Sequence, residues 1–446
     1  MPLTLIDNLA TTAVLADAFS DRRVLQATLN FEAALARAEA NVGVIPTDAA
    51  EAIGRAAVAE GLDCAALAAE AQRAGTLAIP VVKALTERVR STNPDAARFV
   101  HWGATSQDVV DTALVLLLRH ARTILASDHQ RLIAALATLV HEHEHTVMLG
   151  RTLLQAAPPV TFGLKAAGWL AAIRRGWDRV QTRFAEAEML QFGGASGTLA
   201  ALDDQGDAVG RALAQELGLT LPAAPWHTQR DPLAAMIAAC GVECGSLGKM
   251  ARDVALLMQT EVAEAAEPGG DGRGGSSTMP HKRNPIACSL ALAAANRVPG
   301  LVAAFLSGMV QEHERGAGGW QAEWPIVIST VQALGIAVAS MAEAAEGLTV
   351  DTARMRANIE ATGGNIFAER VMMLLGPALG RDQAHKLLQQ ATAQSLQLSR
   401  RLMDVLAEMP EITRLIPGEK LRTLDRPEDY LGLAVVFQNR LVPPKE

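Results

Sequence analysis

Apolar residues recur at every third or fourth position along most of this chain, which is the spacing of one face of a helix. The first clear example runs from Asp21 to Val42, with Ser20 as a candidate N-cap and Gly43 as a stop. Shorter helices are expected from there to Arg90. The residues expected to break them are Gly61, Gly75 and Pro80.

The longest pattern follows Gly103, since neither Gly nor Pro occurs again before Gly150. That stretch predicts one helix of roughly 40 residues, about 60 Å long. Further long helices are predicted from Gly163 to Glu188, from Pro232 to Glu267, from Pro285 to Glu314 with a kink at Pro299, and from Pro325 to Gly347. Because no alternating strand pattern separates these elements, the sequence predicts an all-α protein built on an elongated bundle of long helices.

Helices shorten and glycines and prolines return after Gly347, which divides the chain into three predicted helical regions. These are an N-terminal region at residues 1–108, a central long-helix bundle at residues 109–348 and a C-terminal region at residues 349–446. Apolar residues surround more than one face of the long helices, as in the LVLLL run at residues 114–118. We therefore expect bundles from several copies of the chain to pack together.

Composition narrows the class of protein. The chain of 446 residues has a formal net charge of −8, so no nucleic-acid partner is expected. No membrane partner is expected either, because the longest nearly uncharged stretch falls short of a membrane span. The N-terminus shows no basic leader before an apolar run, and the nearly uncharged stretch at residues 326–341 is interrupted by polar residues. A soluble cytoplasmic protein is therefore expected. Four scattered cysteines do not form a disulfide framework and are expected in the core.

A glycine-rich stretch, PGGDGRGGSSTMPHKRNP at residues 268–285, interrupts the helical pattern. Asn284 and Pro285 are typical of a helix start, which places Lys282 and Asn284 where free backbone N–H groups and the helix dipole favour an anion. Ser276 lies in glycine-rich backbone beside that positive potential, so it is a candidate proton-transfer residue. The alternative is a flexible linker with incidental serines.

A second polar cluster, HWGATSQD, contains His101, Thr105, Ser106 and Asp108 at the start of the longest predicted helix. Hydroxyls and backbone donors at a helix N-terminus suit a carboxylate, and a histidine can move a proton near neutral pH. The alternative is a capping cluster with a structural histidine.

Two other stretches carry weaker signals. The sequence GRTLLQAAPPVTFG at residues 150–163 predicts only a loop, in which Gln155 is expected to be buried. The sequence HEHEH at residues 141–145 offers three histidines, but without a matching third ligand cluster a solvated helix end is favoured over a metal site. No metal or cofactor is expected.

The word GSSTMPHKRNP resembles the signature of the fumarase/aspartase superfamily. The resemblance implies a three-domain, nearly all-α fold whose long helices form the core of a homotetramer, with active sites shared between subunits. It implies that Ser276 transfers a proton and that Lys282 and Asn284 bind a substrate carboxylate. HWGATSQDVVDTA and GRTLLQ are similar to two further conserved regions of this superfamily, which places His101, Thr105, Ser106 and Gln155 in the active site as well.

The chain departs from the lyase pattern at two positions. At the similar positions, many lyases of the superfamily have an acid–base pair. Leu153 stands where those lyases have a histidine proton donor, and Ser289 stands where they have its glutamate partner. An apolar side chain cannot protonate a departing amine, but a cycloisomerase needs no such donor because its leaving group is an internal carboxylate.

The segment QEHERGAGGWQAEW, residues 311–324, lacks the serines of the phosphate-binding lyases but keeps Arg315 for a carboxylate. The chain thus looks most like the superfamily's bacterial cycloisomerases, which reversibly lactonise the small polycarboxylate 3-carboxy-cis,cis-muconate to 4-carboxymuconolactone in the β-ketoadipate pathway. Ser276, Lys282 and His101 are then the expected catalytic residues. The alternatives are an adenylosuccinate- or argininosuccinate-type lyase with His101 as donor, and a non-enzymatic helical scaffold.

Overall fold

The structure is a computed structural model that describes residues 5–270, 274, 275, 279 and 282–443. The helices of the first 142 residues are α1 (Ala13–Ala18), α2 (Asp21–Val42), α3 (Thr47–Ala56), α4 (Cys64–Ala74), α5 (Ala78–Thr92) and α6 (Ser106–Glu142). Strands β1 (Val147–Thr152) and β2 (Gln155–Thr161) follow, and then α7 (Phe162–Ala187), α8 (Gly206–Leu217), α9 (Asp231–Leu257) and the short strand β3 (Ala265–Ala266). The remaining elements up to residue 379 are α10 (Ile286–Ser307), α11 (Gly319–Glu346), β4 (Thr349–Val350), α12 (Thr352–Glu360) and α13 (Ala368–Leu379). The last are α14 (Arg381–Leu398), α15 (Leu402–Leu406), α16 (Pro410–Thr413), α17 (Gly418–Leu421) and α18 (Ala434–Leu441).

The predicted all-α class is confirmed, and among the described residues the strands form two small antiparallel pairs, β1 with β2 and β3 with β4. Helix α2 has the predicted bounds, with Gly43 at a φ of 86° as its left-handed stop. The long helix after Gly103 is also confirmed, as the 37 residues of α6.

Several predicted helix ends are wrong. Helix α9 ends at Leu257 rather than Glu267, and α10 ends at Ser307 rather than Glu314. Pro80 does not break α5, because it lies in the first turn, where a backbone N–H has no helical partner. Pro325 does not start its helix either; α11 begins six residues earlier and contains that proline. Proline position alone is therefore a poor guide to where these helices begin.

Contacts within the chain group its residues into two compact units, each assembled from three separate segments. Unit 1 consists of residues 1–130, 175–248 and 289–340, and unit 2 of residues 131–174, 249–288 and 341–446. The three sequence regions described above stay a prediction.

Each unit has its own apolar cluster. In unit 1 the helices α2 to α5 bury a core of leucine, valine, isoleucine and alanine, which includes Leu29, Ile53 and Val81. In unit 2 the C-terminal helices bury Phe367, Leu388 and Leu402, together with Val147 and Leu149 of strand β1. The β1–β2 hairpin is therefore fixed by its base to the core of unit 2.

Among the described residues, three helices are long and apolar enough to cross a membrane by length and composition alone: α9, α10 and α11. The most apolar windows of α9 and α11 are each 61% buried within the chain, whereas that of α10 is 28% buried. Helix α10 thus leaves an apolar surface uncovered by its own chain.

Two buried acids lie seven residues apart on α2. Glu32 and Glu39 are both inaccessible to solvent, and neither carboxylate oxygen of Glu39 has a hydrogen-bond partner among the described residues. Burial, reinforced by the Glu32 carboxylate, raises the pKa of Glu39 to about 9. Glu39 is therefore a neutral acid in the folded protein at pH 7.

This buried acid predicts how stability depends on pH. Unfolded Glu39 loses its proton above the ordinary carboxyl pKa, whereas the folded protein keeps it, so stability falls as pH rises toward 9. Glu39→Gln mimics the neutral acid and has no proton to lose. Urea unfolding should show the variant more stable than the parent by roughly 2–4 kcal/mol at pH 8, with little difference near pH 4. Glu51→Gln, at an exposed position of α3, is the control, and equal pH dependence in all three proteins would contradict this account.

Candidate active site

The buried carboxylate of Asp108 organises the first part of the site, in unit 1. Its Oδ2 accepts the backbone N–H of Thr105 at 3.0 Å, which is the reciprocal half of a capping box at the start of α6. The same carboxylate accepts the N–H groups of Gly193 at 3.1 Å and Gly194 at 2.9 Å, and it lies 2.6 Å from Nε2 of His227. Asp108 therefore ties the start of α6 to the glycine turn at residues 193–194.

Thr105 and Ser106 keep some of the hydrogen-bond donors that were predicted to bind a carboxylate. Asp108 takes one backbone donor, as the capping interpretation expects. Neither hydroxyl has a hydrogen-bond partner within the part of the chain that the structure describes, and both residues are half-buried. Two hydroxyls at the N-terminus of a long helix are thus available to an anion.

His101 is held by a buried acid. Its backbone has a φ of 60°, and its Nδ1 lies 2.8 Å from Oε1 of Glu32. Burial disfavours the imidazolium, but the Glu32 carboxylate and, further away, Asp108 outweigh that effect and raise the pKa of His101. Since Glu32 occupies Nδ1, Nε2 is the nitrogen through which His101 can meet a ligand.

Arg315 belongs to the same part of unit 1, but its guanidinium is already engaged. Nη2 donates to the carbonyl oxygens of Gly194 at 2.6 Å and Ala195 at 3.1 Å, and Nη1 donates to that of Glu314 at 2.7 Å. Arg315 therefore secures the turn that Asp108 also holds, and a substrate carboxylate would meet the remaining donors rather than a free fork.

A fully buried ion network lies at the start of α11. Arg230 pairs with Asp111 through Nη1 at 2.7 Å and with Glu323 through Nη2 at 2.6 Å. Trp320 donates from Nε1 to Asp111 at 2.9 Å, and Gln311 donates to Glu323 at 2.8 Å. Burial opposes ionisation of Asp111, but Arg230 outweighs it and lowers the pKa of that carboxyl. This network accounts for Gln311, Trp320 and Glu323 of the QEHERGAGGWQAEW stretch, which also contains Arg315.

Sequence reasoning missed His227 and Arg230. Both lie in WHTQRDP, a stretch without a recognisable motif just before α9, and only the fold brings them to Asp108 and Asp111. The spacing of the two aspartates was the available signal, because residues three apart share a helix face and need partners when that face is buried.

In unit 2, the stretch GRTLLQ forms a tight hairpin rather than the predicted loop. Thr152 pairs with Gln155, so Leu153 and Leu154 alone make the turn. Gly150 is required because a Cβ there would lie 2.2 Å from the carbonyl oxygen of Pro158 in the facing strand.

The hairpin is also clamped through Arg151. Its guanidinium donates to both oxygens of buried Glu264, at 2.9 and 2.7 Å, and Asn358 donates to the same carboxylate at 2.7 Å. The expected burial of Gln155 is wrong, because this residue is exposed beside the turn, where the pairing with Thr152 ends.

The described parts of the glycine-rich stretch fold back on themselves. Asn284 donates its N–H to the carbonyl oxygen of Gly274 at 2.9 Å, and Gly275 bridges to Arg283. Gly274 has a φ of 66°, and a Cβ there would lie 2.8 Å from the carbonyl oxygen of Asn284. Lys282 is exposed at the end of this segment, whereas Ser276 lies outside the described residues.

The N-terminus of α10 differs from expectation. Glu267 accepts the N–H groups of Ala287 at 3.0 Å and Cys288 at 2.7 Å. The protein's own carboxylate thus takes the position where the sequence predicted a bound anion. Anion binding near Lys282 and Asn284 would have to use their side chains.

No group of three or more His, Cys, Asp or Glu side chains suited to a metal occurs within residues 5–270, 274–275, 279 and 282–443. The predicted site residues among them offer hydroxyl, amide and cationic groups, which suit a polycarboxylate.

The family profile described as Lyase matches residues 10–300, and one described as Adenylosuccinate lyase C-terminus matches residues 364–441. The chain belongs to the fumarase/aspartase superfamily. A 3-carboxy-cis,cis-muconate cycloisomerase of Bradyrhizobium diazoefficiens is 48% identical over 99% of this chain and 98% of that relative. A nitrosuccinate lyase of Streptomyces davaonensis is 42% identical over 95% of this chain and 91% of that relative. The crystal structure of the 3-carboxy-cis,cis-muconate lactonizing enzyme from Pseudomonas putida has a TM-score of 0.92 and 45% identity, and covers 99% of this chain and 98% of that one.

Within this superfamily the predicted site residues divide between the two units. Unit 1 brings His101, Thr105, Ser106 and Arg315 together around Asp108. Gln155, Lys282 and Asn284 belong to unit 2. Their roles in catalysis stay a prediction.

Proposed function

We propose that this chain catalyses the reversible lactonisation of 3-carboxy-cis,cis-muconate to 4-carboxymuconolactone. Near full-length similarity to the Bradyrhizobium diazoefficiens cycloisomerase and to the Pseudomonas putida lactonizing enzyme supports this assignment. The observation within the chain that carries it is the hairpin turn Leu153–Leu154, which offers no proton donor where a lyase that expels an amine would need one.

The proposed reaction moves one proton. A substrate carboxylate adds to the conjugated diene, and the electrons move onto a second carboxylate to give an aci-carboxylate. Ser276 then protonates the adjacent carbon, and in the reverse direction it removes that proton. Lys282 and Asn284, with the hydroxyls of Thr105 and Ser106, hold carboxylates as negative charge shifts onto one of them. Arg315 and Gln155 complete the set of carboxylate ligands.

The direct test is loss of the diene absorbance when purified protein is added to 3-carboxy-cis,cis-muconate, with the lactone identified by NMR. The competing function is elimination from a succinate derivative, which the similarity to the nitrosuccinate lyase favours. Incubation with nitrosuccinate, adenylosuccinate and argininosuccinate should release no fumarate. Fumarate release without loss of the diene would replace the cycloisomerase assignment.

We infer that His101 binds substrate as an imidazolium, which predicts a pH dependence. Because its pKa is raised in the folded protein, kcat/KM should fall as pH rises through a value above that of free histidine. The Glu32→Gln variant loses the main stabiliser of the charge, so its fall should come at lower pH. The ion pair between His101 and Glu32 also stabilises the fold at pH values below the pKa of His101 in the unfolded chain. That stabilisation is lost as pH rises through the raised pKa of His101 in the folded protein. His145→Gln, at an exposed position, is the matched control, and identical profiles for the parent and Glu32→Gln would refute the role.

We also propose that the protein is a homotetramer whose active sites combine residues of different subunits. The uncovered apolar surface of α10 supports assembly, since its most apolar window is only 28% buried in one chain. Analytical ultracentrifugation should give the mass of four chains, and a monomer that turns over substrate would contradict the shared site.

A further inference from the structure

The turn of the β1–β2 hairpin has an unusual backbone for its residues. Leu153 and Leu154, its only two residues, have φ values of 50° and 64°. A two-residue turn with both φ values positive is the mirror-image type that asparagine and glycine prefer, because a Cβ is costly in the left-handed region. Two consecutive leucines there store backbone strain.

No packing contact in the described part of the chain offsets the strain of having leucine at these two positions. The side chains of Leu153 and Leu154 are 96% and 77% exposed, so neither is buried by a contact that would offset the strain. A leucine side chain that stays exposed to water also contributes no hydrophobic stabilisation. A conformation of this kind persists only where its surroundings impose it.

The surroundings do impose it. Val147 and Leu149, in strand β1, are buried in the core of unit 2. Arg151, in the same strand, forms an ion pair with Glu264 next to the turn. The strand pairing between Thr152 and Gln155 then leaves only two residues to reverse the chain. The fold thus presents both leucines in fixed positions rather than on a mobile loop.

We propose that the Leu153–Leu154 turn is a strained apolar wall of the substrate site, and that it positions and desolvates the carboxylate that attacks the diene. This rests on the proposed function, which assigns Gln155, the residue next to the turn, to the substrate. Apolar side chains beside the nucleophilic carboxylate exclude water, which would otherwise solvate it, and offer no donor that would protonate it. The fold gives up stability to keep leucines where Asn-Gly would be relaxed.

The test replaces the turn with its relaxed form, Leu153→Asn with Leu154→Gly. This double variant should unfold at a temperature about 2–4 °C higher at a fixed scan rate, because the strain is released. Its kcat should fall at least tenfold, with KM changed by less than about threefold, since carboxylate ligands remain. Unchanged kcat, or a lower unfolding temperature, would overturn the proposal.

Two control variants separate the backbone from the side chains. Leu153→Ala with Leu154→Ala keeps a Cβ at both strained positions, so it should lower kcat without raising the unfolding temperature. Ser399→Gly relaxes another left-handed residue, with a φ of 50° at the end of α14, and should raise the unfolding temperature without changing kcat. If the Asn-Gly variant loses its assembly together with its activity, the turn is a subunit contact and the proposal fails. If the parent protein itself does not consume 3-carboxy-cis,cis-muconate, the proposed function fails, while the unfolding temperatures still report on the strain.

Discussion

Replacing Ser276 with alanine is expected to lower kcat for lactonisation by about 10²–10⁴-fold, because loss of a positioned acid–base group typically costs that much. Substrate binding should change little, since Lys282, Asn284 and the hydroxyls at the start of α6 still hold the carboxylates. Single-turnover kinetics with a separate binding titration would distinguish the chemical step from affinity.

Ser277→Ala is the matched control for this experiment, since it removes an adjacent hydroxyl from the same glycine-rich stretch. It should retain kcat within about tenfold. A weakened affinity with near-normal kcat in Ser276→Ala would make that serine a ligand only. Loss of kcat in a His101→Gln variant instead would assign the proton to His101.

Arg230→Met is expected to destabilise the protein by roughly 3–5 kcal/mol, because it leaves Asp111 and Glu323 as uncompensated buried carboxylates. Catalysis should suffer too, since Glu323 and Trp320 fix the first turns of α11, just after Arg315. Urea unfolding followed by circular dichroism, together with kcat/KM at a temperature where the variant is folded, measures both effects.

The control removes an arginine of the same kind from an exposed ion pair. Arg55→Met breaks the contact with Glu51 on α3 and should cost less than about 1 kcal/mol. A triple variant, Arg230→Met with Asp111→Leu and Glu323→Leu, should recover much of the lost stability because no unpaired charge remains. Equal losses in Arg230→Met and Arg55→Met would show that the buried network is not what secures this region.

The periodic pattern of apolar residues was enough to predict the all-α class and the long helices. It worked for α2 because Gly43 is a strong local stop, and for α6 because no Gly or Pro interrupts the helix. It failed at the ends of α9 and α10, where apolar residues continue past the last helical turn, although α10 ends directly before Gly308. The hairpin was missed because GRTLLQ lacks the Asn-Gly signal that its turn type prefers.

The candidate site was predictable as far as motifs extend. His101, Thr105 and Ser106 belong to one recognisable sequence motif, and the structure places them around Asp108. Glu32, which sets the charge of His101, lies 69 residues away in a helix with no motif, so only the fold reveals it. Likewise, Glu267 at the start of α10 competes with the predicted anion site in a way that local spacing does not indicate.

The interleaving of the two units has a consequence for how the protein can be made. Unit 1 contains residues up to 340, so it cannot be completed on the ribosome until most of the chain has been synthesised, and unit 2 needs the C-terminal segment as well. The α2–α5 core of unit 1 lies within one segment, but joining the three segments of each unit needs contacts between distant parts of the chain, which form slowly. Nascent chains would therefore expose long apolar helices for most of translation, and stalled or truncated products should be strong clients of chaperones and prone to aggregate.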